Sequence, residues 1–90
     1  MISKIITVDP AVGRRGKASD CPLWRALRPL IKKDFQLAIS SMIFFKKWGG
    51  TTWYTCGMSQ RLWRWVVRYD AGLPSVATRF RVTLPERYWL

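Results

Sequence analysis

Glycine and proline divide the chain into short segments, and this division restricts its fold more than any other feature. Each of four positions ends an apolar run: Asp9-Pro10, Gly49-Gly50, Cys56-Gly57 and Pro85. Proline has no backbone N–H to donate to a β-ladder, and glycine adopts the dihedral angles that tight turns require. Each segment between such positions is therefore a single helix or strand, and its hydrophobic periodicity indicates which.

Four segments have the composition or period of β-strands: Ile2–Val8, Phe35–Trp48, Thr51–Thr55 and Val76–Leu84. They are rich in β-branched and aromatic residues, and in the second and fourth apolar side chains alternate with polar ones. The second segment is long for one strand, and Ser40-Ser41 predicts a bend or bulge within it. Gly49-Gly50 predicts a two-residue hairpin turn that leads into the third.

The first of two helices is predicted between the first two strands. Ser19 or Asp20 is the expected N-cap, and Pro22 fits the first turn because that position has no intrahelical bond to donate. Pro29 conflicts with a continuing helix, since it removes one hydrogen bond and clashes with the preceding turn. We therefore expect the helix to kink or stop near Arg28.

The second helix begins after Ser59, a favourable N-cap, and ends where Asp70-Ala71-Gly72 precedes Pro74. Its apolar stripe is separate from a row of arginines at i, i+3 and i+7: Arg61, Arg64 and Arg68. No Asp or Glu lies between the first and last of them. The row therefore has no ion-pair partner within its own helix.

The order strand, helix, strand, strand, helix, strand predicts an α+β fold. One mainly antiparallel sheet with both helices on one face, a small two-layer sandwich, accounts for this order, because each helix has one apolar stripe. A ferredoxin-like arrangement is the simplest such topology, and other small two-layer sheets fit as well. A chain of 90 residues allows one domain, which we place at 1–85, with 86–90 as an aromatic C-terminal tail apolar enough to pack against it.

The charge balance predicts an acidic partner. Sixteen Lys and Arg stand against five Asp and Glu, which gives a formal net charge of +11. Such a surplus destabilises the compact state by self-repulsion, so a polyanion or a strongly acidic surface is the expected reason for it. Six Trp and an aromatic content of 14% are too many for a disordered basic tail.

The candidate binding residues are the cations and the aromatic group best placed to meet such a partner. Arginine binds phosphates in bidentate fashion and stacks on bases. Arg79 and Arg81 alternate outward on the last strand, where we expect outward aromatic residues such as Trp53 or Tyr54 beside them. The alternative is an ordinary solvated surface. The full candidate set is Arg61, Arg64, Arg68, Arg79, Arg81, Arg14, Arg15, Lys17, Lys46, Lys47 and Trp63.

Catalysis finds little support in the sequence. The chain has no His, so the commonest general base is missing, and its aspartates occupy turn and cap positions. Cys21 and Cys56 cannot fill a four-ligand zinc site by themselves. We therefore expect no catalytic residue, no metal and no cofactor.

No apolar stretch approaches the roughly 20 residues that cross a bilayer, and Met1–Val8 lacks the features of a secretory signal. We therefore expect no membrane partner and a cytoplasmic location. A cytosol would keep both thiols reduced.

Three stretches carry a resemblance to known proteins: Cys21–Arg28, Trp65–Gly72 and Phe80–Leu84. With its Cys-Pro-x-x-x-Ala-Leu helix start and its aromatic-Asp-x-Gly turn before a final strand, the chain resembles a group of small uncharacterised bacteriophage proteins. The resemblance covers Ile2–Leu84 and implies a small α+β fold and a phage origin, hence the host cytoplasm, but no activity. Pro29 and the abundance of Trp and Arg depart from the pattern.

The sequence is consistent with two functions, and with a third that requires a formed pocket. The first is a small basic phage-encoded protein that binds host nucleic acid or a nucleic-acid-containing complex. The second is an inhibitor of a host enzyme or defence complex, similar in behaviour to anti-CRISPR proteins, that holds an acidic protein surface with exposed Trp and Arg. The third is a sponge for small anionic signals such as cyclic oligonucleotides. The residues leave open both a monomer and a homo-oligomer that pools the basic faces.

Overall fold

The computed structural model describes residues 1–90 and has five strands, two α-helices and two short 3₁₀ helices. The strands are β1 (Ile2–Val8), β2 (Phe35–Ile39), β3 (Ile43–Lys47), β4 (Tyr54–Cys56) and β5 (Thr78–Leu84). The α-helices are α1 (Pro22–Leu27) and α2 (Gln60–Asp70), and the 3₁₀ helices are Arg28–Leu30 and Glu86–Tyr88. The α+β class predicted from the sequence is confirmed.

The strands form two sheets, whereas the sequence predicts one. β1 pairs with β5 in antiparallel register from Ile2 opposite Leu84 to Val8 opposite Thr78, and β2, β3 and β4 form a separate antiparallel meander. The expected long strand 35–48 is in fact a hairpin, because the chain reverses at Ser40–Met42 and the Ser40 N–H donates to the Met42 carbonyl at 3.0 Å. The reversal adds a strand, so the order is β-α-β-β-β-α-β.

The predicted hairpin at Gly49-Gly50 forms with a longer loop than expected. β3 and β4 are antiparallel, with Phe45 opposite Tyr54. Gly49 has φ +80°, and the Gly50 N–H donates to the Lys47 carbonyl at 2.9 Å, which closes a turn at this point. The residues that follow do not pair, so the returning strand begins at Tyr54 rather than at Thr51.

The helix ends agree only partly with the predictions. α1 passes into the 3₁₀ helix at Arg28, as Pro29 requires, but its N-cap is Cys21 and not Ser19 or Asp20. The Asp20 carboxylate instead accepts a 2.6 Å hydrogen bond from Arg25 Nε. In α2 the predicted N-cap is confirmed, because the Ser59 hydroxyl accepts from the Leu62 N–H at 3.2 Å. Neither helix has the length and the apolar character that crossing a membrane requires.

The core lies between the two sheets, and the C-terminal residues are part of it. Tyr88 is 1% exposed and stacks on Phe45 with a centroid distance of 3.9 Å and an interplanar angle of 9°. Trp89 is 3% exposed, and its Nε1 donates to the Ile2 carbonyl at 2.9 Å. Residues 86–90 therefore tie the β1–β5 sheet to the three-stranded sheet.

Candidate functional site

Most of the positive charge has no carboxylate of the chain as a partner. Asp20 forms both of the salt bridges, with Arg14 Nε at 3.5 Å and Arg25 Nη2 at 2.6 Å. The other fourteen of the sixteen Lys and Arg form none, and no charged residue is buried. The surplus that the composition shows is therefore presented to solvent.

The arginine row of α2 lines a groove beside β5. Arg61, Arg64 and Arg68 are all exposed, and Thr78 and Phe80 of β5 form the opposite wall. Arg61 is held in place, because its Nη1 donates to the Arg79 carbonyl at 3.1 Å and its Cζ lies 4.8 Å from the centroid of the Phe80 ring. The other two guanidinium groups make no hydrogen bond to the chain and remain available to a partner.

Trp65 holds α2 in the orientation that creates this groove. Its ring stacks on Tyr69 with centroids 5.6 Å apart and meets the Phe80 ring edge-on at 6.4 Å. Its Nε1 donates to the Val76 carbonyl at 3.0 Å. Leu62 and Val66 are buried on the core side of the helix. The arginine row is consequently directed away from the core and along β5.

Arg79 and Arg81 lie on the outer face of the β1–β5 sheet. Both are exposed and alternate with the buried Phe80 and Val82, as the sequence predicts. Arg61 donates to the Arg79 backbone, but the Phe80 ring that it also contacts belongs to the buried face of β5. The Arg79 and Arg81 side chains therefore leave the strand on the face opposite the α2 groove. The prediction that outward aromatic residues such as Trp53 or Tyr54 lie beside Arg79 and Arg81 is wrong, however. Trp53 precedes β4 of the other sheet, and Tyr54 lies within it, because the strands divide into two sheets.

The basic loop between β1 and α1 places its three candidates differently. Arg15 Nε donates to the Tyr69 carbonyl at 2.9 Å, and its guanidinium lies 5.5 Å from the Tyr69 ring centroid, so Arg15 sits at the carboxyl end of α2. Arg14 faces Asp20 and is partly neutralised. Lys17 lines a cavity together with Tyr69 and Asp70 of α2.

The β3–β4 hairpin carries a second cluster of cations and aromatic rings. Lys46 Nζ lies 5.1 Å from the Trp53 ring centroid, and Phe44 meets the same ring edge-on at 6.4 Å. Lys47 and Trp48 at the tip are exposed. Phe44 is not among the residues predicted from the sequence, because it falls in the polar phase of its strand. That departure from alternation was the available signal.

Trp63 stands apart from both groups of cations. It is 37% exposed and lines a cavity of about 280 Å³ between the basic loop, the Ser40-Ser41 turn and α2. Cys21 lines the same cavity, and burial raises the pKa of its thiol, which keeps the sulfur protonated at neutral pH. Burial also raises the pKa of Cys56. No cluster of His, Cys, Asp and Glu has the size of a metal site.

The candidates therefore form two surfaces. The first, called the arginine surface below, comprises the arginines on both sides of β5 and at the carboxyl end of α2: Arg61, Arg64, Arg68, Arg79, Arg81 and Arg15. The second, the hairpin surface, consists of Phe44, Lys46, Lys47, Trp48 and Trp53. Comparison with protein-family models, with curated proteins and with solved structures gives no match for the chain. The two surfaces are therefore the basis for assigning a function.

Proposed function

We propose that the chain is a small basic binding protein, encoded by a phage, that acts in the host cytoplasm on nucleic acid or on a nucleic-acid-containing complex. The observation that supports this most is the number of cations without salt bridges around β5: the α2 row lines a groove on the Phe80 side of the strand, and Arg79 and Arg81 project from its other face. A cluster of cations without carboxylate partners is the electrostatic footprint expected of a protein that binds a phosphate backbone.

The spacing of the α2 row suits a polynucleotide backbone. An α-helix rises about 1.5 Å per residue, so Arg61 and Arg68 lie about 10 Å apart along the axis. Each strand of a DNA duplex advances about 3.4 Å per nucleotide along the helix axis, so a row aligned with that axis spans about three nucleotides. Arg61 is already held against Phe80, which reduces the side-chain entropy that its binding would cost. Arg64 and Arg68 supply bidentate contacts to the neighbouring phosphates.

The proposal assigns no catalytic residue, metal or cofactor to the protein. The thiol of Cys21 is buried and protonated, which leaves it a weak nucleophile. Asp70 lies at the rim of the same cavity, but it accepts a hydrogen bond from the Gly16 N–H at 3.3 Å and lies at the end of α2. These contacts have ordinary structural roles, so binding remains the proposed activity.

A gel shift on DNA and on RNA at two salt concentrations tests the proposal. We expect binding at low salt that weakens steeply as salt is added, because binding releases counterions from the phosphates and this release becomes less favourable at higher salt. The double variant Arg64→Gln/Arg68→Gln should bind more weakly. The double variant Lys32→Gln/Lys33→Gln removes the same charge outside both surfaces and should bind nearly as the wild type does. Absence of binding to both nucleic acids at low salt would refute the proposal.

A second function is supported by the indole groups. Trp48, Trp53 and Trp63 are 65%, 43% and 37% exposed, and Trp and Arg dominate the hot spots of protein interfaces. On this alternative the chain inhibits a host enzyme or defence complex by holding an acidic protein surface. Pull-down from nuclease-treated host lysate separates the two proposals. A stoichiometric protein that survives the nuclease and is lost from the Arg64→Gln/Arg68→Gln variant favours inhibition.

Sedimentation of the free protein would show whether a homo-oligomer pools the basic faces.

A further inference from the structure

We infer that the hairpin surface is a stacking platform for unpaired bases, so that the preferred ligand is single-stranded nucleic acid. This inference rests on the proposed function and narrows its class of ligand. The arginine surface holds phosphates of any nucleic acid, whereas aromatic rings on an open sheet face can hold only bases that are not already stacked in a duplex.

The outer face of the three-stranded sheet is unusual in what it exposes. One face of this sheet is buried, and Tyr88 covers Phe45 there. On the opposite face Ala38, Phe44 and Trp53 line a shallow depression that is open to solvent, and Trp53 is exposed there. Antiparallel sheets commonly turn a polar face to water. Aromatic rings at these outward positions therefore indicate that this face of the sheet binds a partner.

The geometry of the rings suits a base. Phe44 is half-buried and meets Trp53 at an interplanar angle of 86°, so it supports the indole from the side. Trp53 keeps 43% of its surface exposed. Lys46 Nζ lies 5.1 Å from the indole centroid, on a flexible chain that can turn toward a phosphate when a base occupies the ring. The ring on which a base would stack, Trp53, and the cation that would bind its phosphate, Lys46, are thus adjacent.

Charge favours a polyanion over a protein as the occupant. The outward positions of the three strands are Gln36, Ala38, Phe44, Lys46 and Thr55, and none is acidic. Lys47 adds a further cation at the tip of the hairpin. The nearest acidic residue along this end is Asp34, which forms no salt bridge and whose backbone carbonyl accepts from the Trp48 N–H at 3.1 Å. Aromatic rings with interleaved cations are typical of single-strand binders, and Lys46 and Lys47 outnumber the single acid at the margin of the surface.

Fluorescence anisotropy with a labelled 12-nucleotide oligo(dT), the matching oligo(U) and a 12-base-pair DNA duplex tests the inference. Trp53→Ala should weaken binding of both single strands by about 5- to 150-fold, the loss expected for one stacked base. It should leave duplex affinity within about 2-fold of the wild type, because the arginine surface is intact. Tyr54→Ala is the matched control, since Tyr54 is a 54% exposed aromatic residue next to Trp53 but lies opposite Phe45, on the other face of the sheet, and it should not change single-strand binding.

A second variant distinguishes loss of the stacking ring from loss of folded structure. Trp53→Phe keeps an aromatic ring and should retain most of the affinity for single strands, while the part of the intrinsic Trp fluorescence quenched by oligo(dT) decreases. If Trp53→Ala binds single strands as the wild type does while Arg64→Gln/Arg68→Gln does not, the platform is refuted and the proposed function stands. If the wild type binds none of the three probes at low salt, the proposed function itself fails. An equal loss of single-strand and duplex affinity in Trp53→Ala would also overturn the inference.

Discussion

Arg61 of α2 donates a hydrogen bond from Nη1 to the backbone carbonyl oxygen of Arg79 in β5, 3.1 Å away. This contact joins the helix that carries one arginine row to the strand that carries the other. The same guanidinium lies over Phe80, whose side chain is buried. One cation of the arginine surface therefore contributes to folding, while its neighbours along α2 remain free.

This difference predicts that the arginines of α2 will respond unequally to substitution. Arg61→Gln should lower the free energy of unfolding by about 1 kcal/mol, because it removes one hydrogen bond and one cation–π contact. Arg64→Gln should change it by less than about 0.5 kcal/mol, as is usual for a surface residue without such contacts. Urea denaturation of the two variants measures both values. Equal losses would mean that the Arg61 contacts contribute nothing.

Gly13 should be far less replaceable than Gly16, although both lie in the same loop with positive φ. Gly13 has φ +86°, and a Cβ there would lie close to the Asp20 carbonyl oxygen and to Cys21. Gly16 has φ +69°, and nothing lies near a Cβ built there. Gly16→Ala should therefore cost about 1 to 2 kcal/mol, the penalty of the left-handed backbone alone. Gly13→Ala should cost clearly more. Thermal unfolding followed by circular dichroism compares them, and a cost for Gly13→Ala no larger than for Gly16→Ala would contradict the loop geometry.

Tyr88 should be essential for stability. It is 1% exposed and packs between Phe45 and Phe35, with centroid distances of 3.9 and 4.9 Å. Tyr88→Ala should cost about 3 to 5 kcal/mol, the loss typical of a large aromatic side chain removed from a core. Tyr88→Phe keeps the packing and loses only a 3.4 Å hydrogen bond from Arg87, so it should cost about 1 kcal/mol or less. Denaturant unfolding of both variants tests this, and similar stability for the two would contradict a structural role for the ring.

Cys21 should make stability depend on pH in the alkaline range. Burial raises the pKa of this thiol in the folded state. Its contribution is therefore complete below the pKa of the unfolded thiol, about 8.5, and is lost as the pH rises through the folded pKa. The free energy of unfolding should fall above about pH 8.5, and it should fall less in Cys21→Ala. Urea denaturation from pH 7 to 10 measures both slopes. Identical slopes would show that the thiol is not shielded from water.

Local signals in the sequence were sufficient for several elements. Ile2–Val8 is bounded by its composition and by Pro10, and α2 is bounded by the Ser59 cap and by Gly72, which has φ +78°. Each of these limits depends on residues a few positions apart. The outward direction of Arg79 and Arg81 follows from alternation alone.

The division into two sheets depends on contacts that local patterns do not contain. β1 pairs with β5, which lies near the other end of the chain. The chain also reverses at Ser40-Ser41 without the glycine that is common at such turns. The Phe44–Trp53 pair of the hairpin surface requires the register of β3 against β4, which the loop after Gly49 sets. The arginine row itself was evident, but its position beside β5 depends on the packing of Trp65.

The salt dependence of nucleic-acid binding tests the central claim most directly. For the wild type, a plot of the logarithm of the binding constant against the logarithm of salt concentration should have a slope near −4 to −5, if about six phosphates are neutralised. In Arg64→Gln/Arg68→Gln the slope should be shallower by about 1.4 to 1.8, the change expected for two lost phosphate contacts, while Lys32→Gln/Lys33→Gln should keep the wild-type slope. A slope that both double variants leave unchanged, or change equally, would contradict a phosphate-binding role for the arginine surface.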